Sequence, residues 1–122
     1  MNYQTARHLL ICQGMAAEPD DLLCRLRQKV PPIPGQITTI LLALKVVDDR
    51  LQSATEIERE LACSLYLLAS ESRQQFDLGR RSGVAWPPLL DEDLGRIAAG
   101  VRQIFLGTRQ TAAMGGAIQP LA

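Results

Sequence analysis

The stretch QITTILLALKVVDDRLQ, residues 36–52, carries the strongest structural signal in the chain. Apolar side chains recur in it at spacings of three and four, the pattern of an α-helix that buries one face against other helices. The residues of this face are Ile37, Ile40, Leu44, Val47 and Leu51. Because Leu41 and Leu42 widen the face, we predict a helix near the centre of a bundle.

Two proline-rich segments interrupt the helical patterns. The first joint is PPIPG, residues 31–35, and the second joint is WPPLL, residues 86–90. Proline lacks an N–H donor and pushes the preceding residue towards extended geometry, so neither segment continues a helix. We expect both joints to be stiff connectors.

Apolar periodicity between such breaks predicts four more helices, at residues 2–13, 19–30, 53–82 and 91–107. Asn2 is a suitable N-cap for the first helix, and Gly14 a suitable stop. Thr55 and Glu58 have capping-box spacing, which predicts that the longest helix begins beside Thr55. Gly107 is a plausible C-cap for the last.

The sequence therefore predicts an all-α fold, a compact bundle of four to five helices with proline-rich joints. A chain of 122 residues, 47% of them hydrophobic, suffices for one core. We assign a single domain to residues 1–107. Residues 108–122 are rich in Gly, Ala and Thr without periodicity, and we predict a flexible tail there.

Composition argues against several kinds of partner. Thirteen basic residues balance thirteen acidic ones, and aromatic residues make up 4% of the chain, so nucleic-acid binding is not expected. The longest apolar stretch, residues 37–47, is too short and too interrupted to span a bilayer, and membrane insertion is not expected. Three cysteines without zinc or redox spacing indicate reduced thiols in the cytoplasm.

No catalytic, cofactor-binding or metal-binding residue is predicted. Neither lysine stands in a phosphate-binding loop, and most acidic clusters open helices, where they offset the helix dipole. His8 is the only histidine, so a histidine-based metal site within one chain is not expected. His8 and Cys12 share a helix face, which we interpret as a structural pair rather than a nucleophile and its base.

The joints supply the candidate binding residues, because a rigid turn presents an apolar side chain to a partner at little entropic cost. Tryptophan is also enriched among the residues that dominate binding energy. In the alternative interpretation, which we favour at Trp86, Trp86 and Leu89 fold back over the end of the bundle. The candidate partner-binding residues are Ile33, Trp86, Pro87, Pro88 and Leu89, with Arg73, Arg80 and Arg81 as a polar rim.

Several segments together resemble a family of small cyanobacterial proteins that carry the label "dethiobiotin synthetase". The likeness covers about residues 1–107 and rests on PPIPGQ (31–36), LLALKVV (41–47), RELA (59–62), ESRQ (71–74) and WPPLL (86–90). The resemblance implies a cyanobacterial cytoplasm, near photosynthetic or carbon-metabolism assemblies. True dethiobiotin synthetases phosphorylate a carbamate with a P-loop in an α/β fold, which this sequence lacks, so the label implies no catalytic residue here.

We therefore expect a non-catalytic interaction, assembly or regulatory module that binds a protein partner or itself. The alternative is a small-molecule binder or enzyme linked to biotin metabolism, with a pocket between helices. DNA binding by a helix-turn-helix ranks last, since the net charge is zero and the joints are longer than the usual turn.

Overall fold

The computed structural model describes the backbone of residues 1–117 and the side chains of residues 1–107. The described residues form five α-helices and no strand, which confirms the predicted all-α bundle. The helices are α1 (Tyr3–Met15), α2 (Leu22–Arg27), α3 (Gln36–Leu51), α4 (Arg59–Arg81) and α5 (Leu90–Ala117). None of them, within the described residues, has the length and apolar content needed to cross a bilayer.

The four long helices surround one core. α1 packs beside α3 and α4, and α5 packs beside the same two helices, so the order around the bundle is α1, α3, α5, α4. The short helix α2 covers α4 and the adjoining part of α1. Consecutive helices α3 and α4 therefore occupy opposite corners, and the segment between them crosses the end of the bundle.

The core is built from aliphatic side chains contributed by all five helices. Its fully buried members include Leu10, Leu26, Ile40, Leu61, Leu65, Leu68, Leu94 and Ile97. Burying one such side chain stabilises the fold by roughly 1.5–3 kcal/mol. In α3 the predicted residues Ile37, Ile40, Leu44 and Val47 are buried and Leu51 is half-buried. Leu42 is 51% exposed, because it stands two residues from both Ile40 and Leu44 and so lies on the opposite side. The prediction that Leu42 widens the buried face is wrong.

Helix α1 begins as predicted but ends later. Asn2 Oδ1 accepts a hydrogen bond from the Thr5 backbone N–H at 2.8 Å, so Asn2 is the N-cap. The helix continues through Gly14 to Met15, and Ala16 takes the left-handed conformation at φ 54°. Gly14 lies against the main chain of Ser64 in α4, where a Cβ atom would be 2.4 Å from the carbonyl oxygen. This glycine is thus a helix-contact residue rather than a stop.

Helix α4 begins at Arg59, six residues after the start of the predicted segment 53–82. Thr55 is exposed, and Glu58 is the N-cap without a side-chain capping bond, so the predicted capping box is wrong. The physical reason is that α3 and α4 occupy opposite corners, so the segment between them must cross the end of the bundle. Extended chain crosses that distance with fewer residues, because it advances about 3.3 Å per residue and helix only about 1.5 Å. The Glu58 carboxylate instead binds Arg7 of α1. Helix α2 is also shorter than the predicted segment 19–30.

Helix α5 is broken at Gly107, whose φ of 57° and ψ of −163° are not helical, in agreement with the predicted end of the helix. Helical backbone resumes beyond it as far as Ala117. Residues 118–122, and the side chains of residues 108–117, lie outside the described part of the chain. A flexible tail over residues 108–122 stays a prediction.

Candidate functional site

The two proline joints lie side by side. They enter α3 and α5, which are neighbours in the bundle, and together line one shallow depression of about 210 Å³. Ile33 from the first joint is 39% exposed, and Leu89 from the second is 62% exposed. We call four of the apolar residues that line this depression, Pro32, Ile33, Pro87 and Leu89, the joint surface.

Hydrogen bonds hold the first joint in place. The Ile33 N–H donates to Gln36 Oε1 at 3.0 Å, and the Gln36 N–H donates to the Ile33 carbonyl at 2.9 Å. Gln36 Nε2 also donates to the Asp20 carbonyl at 2.7 Å, which ties the joint to the loop before α2. Gly35 takes the left-handed conformation at φ 85°, which turns the chain into α3. Gln36 has no local sequence signal, because its role is a contact between distant segments.

The second joint directs Trp86 inwards and Leu89 outwards. The indole Nε1–H of Trp86 donates to the Phe76 carbonyl at 3.0 Å, and the two rings stack with centroids 6.0 Å apart. Trp86 is half-buried and does not line the depression, whereas Pro87 and Leu89 do. Pro88 is exposed beside them, outside the depression. Trp86 therefore supports the second joint from below.

The three arginines predicted as a rim lie along the end of α4. Arg73 donates to the Asp91 carboxylate at 2.6 Å, and Arg80 donates to the Asp77 carboxylate at 3.1 Å. Their guanidinium carbons are 5.2 and 5.3 Å from the Phe76 ring centroid. Arg81 donates to the Asp77 carbonyl at 3.4 Å. None of the three arginines lines the depression that contains the joint surface. Each is hydrogen-bonded to Asp77 or Asp91 of the same chain instead.

A second apolar feature was not predicted. Between α4 and α5 lies a groove of about 390 Å³ whose lining is almost entirely apolar. We call it the helix groove and define it by Tyr66, Ala69, Ala98, Val101, Arg102 and Phe105. Tyr66 is 60% exposed and Phe105 is 45% exposed. The sequence feature that could have indicated this groove is Tyr66. This large aromatic residue directly follows Leu65 and so lies outside the buried series that contains Leu61, Leu65 and Leu68.

His8 and Cys12 are close on the exposed side of α1, with Nε2 and Sγ 3.5 Å apart. Partial burial raises the pKa of the Cys12 thiol, and the nearby carboxylates of Asp21, Glu18 and Glu60 raise it further. A nucleophilic cysteine needs the opposite, a lowered pKa. Among the described residues no group of three histidine, cysteine or acidic side chains is placed to hold a metal ion.

Comparison with models of protein families, with curated proteins and with solved structures finds no match to this chain. The fold and its surface define a helical bundle with two separate exposed apolar features, the joint surface and the helix groove.

Proposed function

We propose that this chain is a non-catalytic interaction, assembly or regulatory module that binds a protein partner, or a second copy of itself, through the joint surface. The observation that carries the proposal is the convergence of Ile33 and Leu89. These residues belong to different joints, yet both are exposed at the rim of one depression.

The rigidity of the joints supports protein recognition. Prolines and the hydrogen bonds between Ile33 and Gln36 hold the first joint before any partner arrives, so binding orders little chain. Trp86 fixes the second joint in the same way through its bond to the Phe76 carbonyl. In most interfaces a few residues supply most of the binding energy. Exposed apolar side chains on rigid joints are well suited to be such residues.

The size of the depression also favours a protein partner over a cofactor. Small-molecule pockets usually enclose about 300–1,000 Å³ and bury most of their ligand. The joint depression holds about 210 Å³ and is open to solvent on the side of Leu89. One or two side chains of a partner fit such a space better than a nucleotide does.

We also infer a cytoplasmic location. Cys12, Cys24 and Cys63 are all free thiols, which is usual in a reducing compartment. Because the sequence resembles a cyanobacterial family, we propose that this location is the cytoplasm of a cyanobacterium.

Photo-crosslinking tests the proposal. A benzophenone amino acid is placed at residue 33 or residue 89, with exposed Gln4 of α1 as the control position. We expect one discrete adduct, shared by positions 33 and 89 and absent at position 4, in a lysate of the source organism or with the purified chain alone. An adduct of twice the chain's mass indicates self-association, which analytical ultracentrifugation then quantifies.

Substitution provides the matched test. Ile33→Ser and Leu89→Ser should each weaken the adduct formed from the other position, while circular dichroism shows an unchanged bundle. A strictly monomeric chain that yields no adduct at either position would contradict the proposal. Calorimetry with ATP and diaminopelargonic acid tests the alternative, because micromolar binding of either compound would favour a role in biotin metabolism instead.

A further inference from the structure

The helix groove is independent of the joint surface and has the dimensions of a helix-docking site. It follows α5 over residues 98–105, about two helical turns or roughly 10 Å. Ala69 and Ala98 leave space between the two helices, and Tyr66 and Phe105 are exposed beside that space. Amphipathic helices that bind such grooves insert apolar side chains at positions i, i+4 and i+7.

Arg102 favours an occupant that carries an acidic side chain. It is the charged residue that lines the groove, and it makes no ion pair or hydrogen bond with any described residue. Six other arginines of the described residues, among them Arg7 and Arg73, are bound to carboxylates, whereas Arg50, Arg59 and Arg81 are not. A helix that docks over Arg102 removes water from the guanidinium group, and a carboxylate on that helix offsets the loss.

Neither a copy docked groove to groove nor residues 108–122 offer an acidic side chain to Arg102. The groove lining contains no Asp or Glu, so two copies docked groove to groove leave both Arg102 side chains unpaired. Residues 108–122 contain no Asp or Glu and add another arginine, Arg109. Charge complementarity therefore favours a segment of a different protein.

We propose that the helix groove binds an amphipathic helix of a partner protein, with apolar side chains at i, i+4 and i+7 and an adjacent Asp or Glu that pairs with Arg102. This site is additional to the joint surface, and it does not depend on the function proposed above.

Selection from a displayed library of helical peptides, with the full chain as bait, tests the proposal. We expect enriched peptides to have the three apolar positions and an acidic residue beside them. The best peptide is then synthesised with a fluorophore and titrated by anisotropy. Tyr66→Ala and Phe105→Ala should each weaken its binding about tenfold, as for aromatic anchors of other interfaces. Both side chains are exposed, so the bundle should remain folded by circular dichroism.

A charge exchange tests the pairing itself. Arg102→Glu should weaken binding about fivefold, near the upper range for an exposed ion pair, and replacing the peptide's acidic residue by Arg should restore most of it. Arg59→Glu, an exposed charge reversal on α4 outside the groove, is the matched control and should change binding less than twofold.

The proposal would be overturned by selection that enriches no peptide, by enriched peptides without acidic residues, or by binding that is indifferent to Tyr66, Phe105 and Arg102. Self-association abolished by Phe105→Ala would identify a second copy as the occupant and also overturn it. Ile33→Ser and Leu89→Ser should leave peptide binding unchanged, so failure at one surface is distinguishable from failure at the other.

Discussion

The indole of Trp86 lies against the main chain of Gly79, so closely that a Cβ atom at residue 79 would be 2.5 Å from Cζ2 of the ring. The contact places the second joint on the last turns of α4. It also explains why Gly79 is buried although it belongs to the polar end of that helix. The position of Leu89, three residues further on, follows from this contact.

Gly79→Ala should destabilise the fold, because the added methyl group displaces the indole and stretches its bond to the Phe76 carbonyl. We expect the free energy of unfolding to fall by about 1–3 kcal/mol, the usual cost of overpacking. Urea titration followed by fluorescence measures the change, with Trp86 as the only tryptophan. Gly95→Ala is the control: its Cβ meets open space within α5, so stability should rise by about 0.5–1 kcal/mol. Equal effects of the two substitutions would contradict the close contact.

Gly14→Ala should cost more than Gly79→Ala. The atoms that a Cβ at residue 14 meets are the backbone carbonyl and Cα of Ser64, which have no rotamer to change, so α1 and α4 must separate. We expect a loss of about 3 kcal/mol, at the upper end of the range for overpacking. Thermal unfolding monitored by circular dichroism at 222 nm gives the comparison. A smaller loss than that of Gly79→Ala would show that α1 and α4 approach less closely than described.

The ion pair between Arg7 and Glu58 should make stability depend on pH. The hydrogen bond from Arg7 holds the pKa of the Glu58 carboxyl below its ordinary value of 4.5, while Glu58 raises the pKa of Arg7. The unfolded chain therefore takes up this proton more readily than the folded chain does. The stabilising effect is complete above about pH 4.5 and is lost as the pH falls through the lowered pKa.

Urea midpoints of the wild type and of Glu58→Gln between pH 7 and pH 3 measure this effect. The wild type should be more stable at pH 7, and the difference should shrink towards pH 3. Glu56→Gln, exposed in the same connection, should leave the pH dependence nearly unchanged. A constant difference between wild type and Glu58→Gln across the range would rule out the linkage.

The thiols of Cys63 and Cys12 should react at different rates with iodoacetamide at pH 8. Cys63 is exposed on α4, while Cys12 is half-buried and its pKa is raised by burial and by nearby carboxylates. Because the thiolate is the reacting form, Cys63 should be alkylated first and Cys12 later. Mass spectrometry of tryptic peptides gives the order, and denaturation in urea should make the rates similar. Faster reaction at Cys12 than at Cys63 in the folded chain would be inconsistent with the structure.

Most of the helices were predictable because their signals are local. Periodic Ile37, Ile40, Leu44 and Val47 predicted α3 closely, and Asn2 and Gly107 marked the ends of other helices. The start of α4 was predicted wrongly, since Thr55 and Glu58 match a capping box locally while Arg7, far away in sequence, binds the Glu58 carboxylate. The candidate site was predicted only in outline. Ile33, Pro87 and Leu89 come together, whereas Trp86 and the three arginines do not line the same depression.

Helical periodicity and proline geometry act between neighbours in the chain, so they are enough to predict an all-α bundle with breaks at both proline joints. The packing of the helices places α3 next to α5, which brings Ile33 beside Leu89, and opens a groove between α4 and α5. Apolar faces of similar width pack in several orders around a core, and periodicity along one helix does not specify its neighbour. The order here depends on close contacts such as Gly14 with Ser64, which no local pattern encodes.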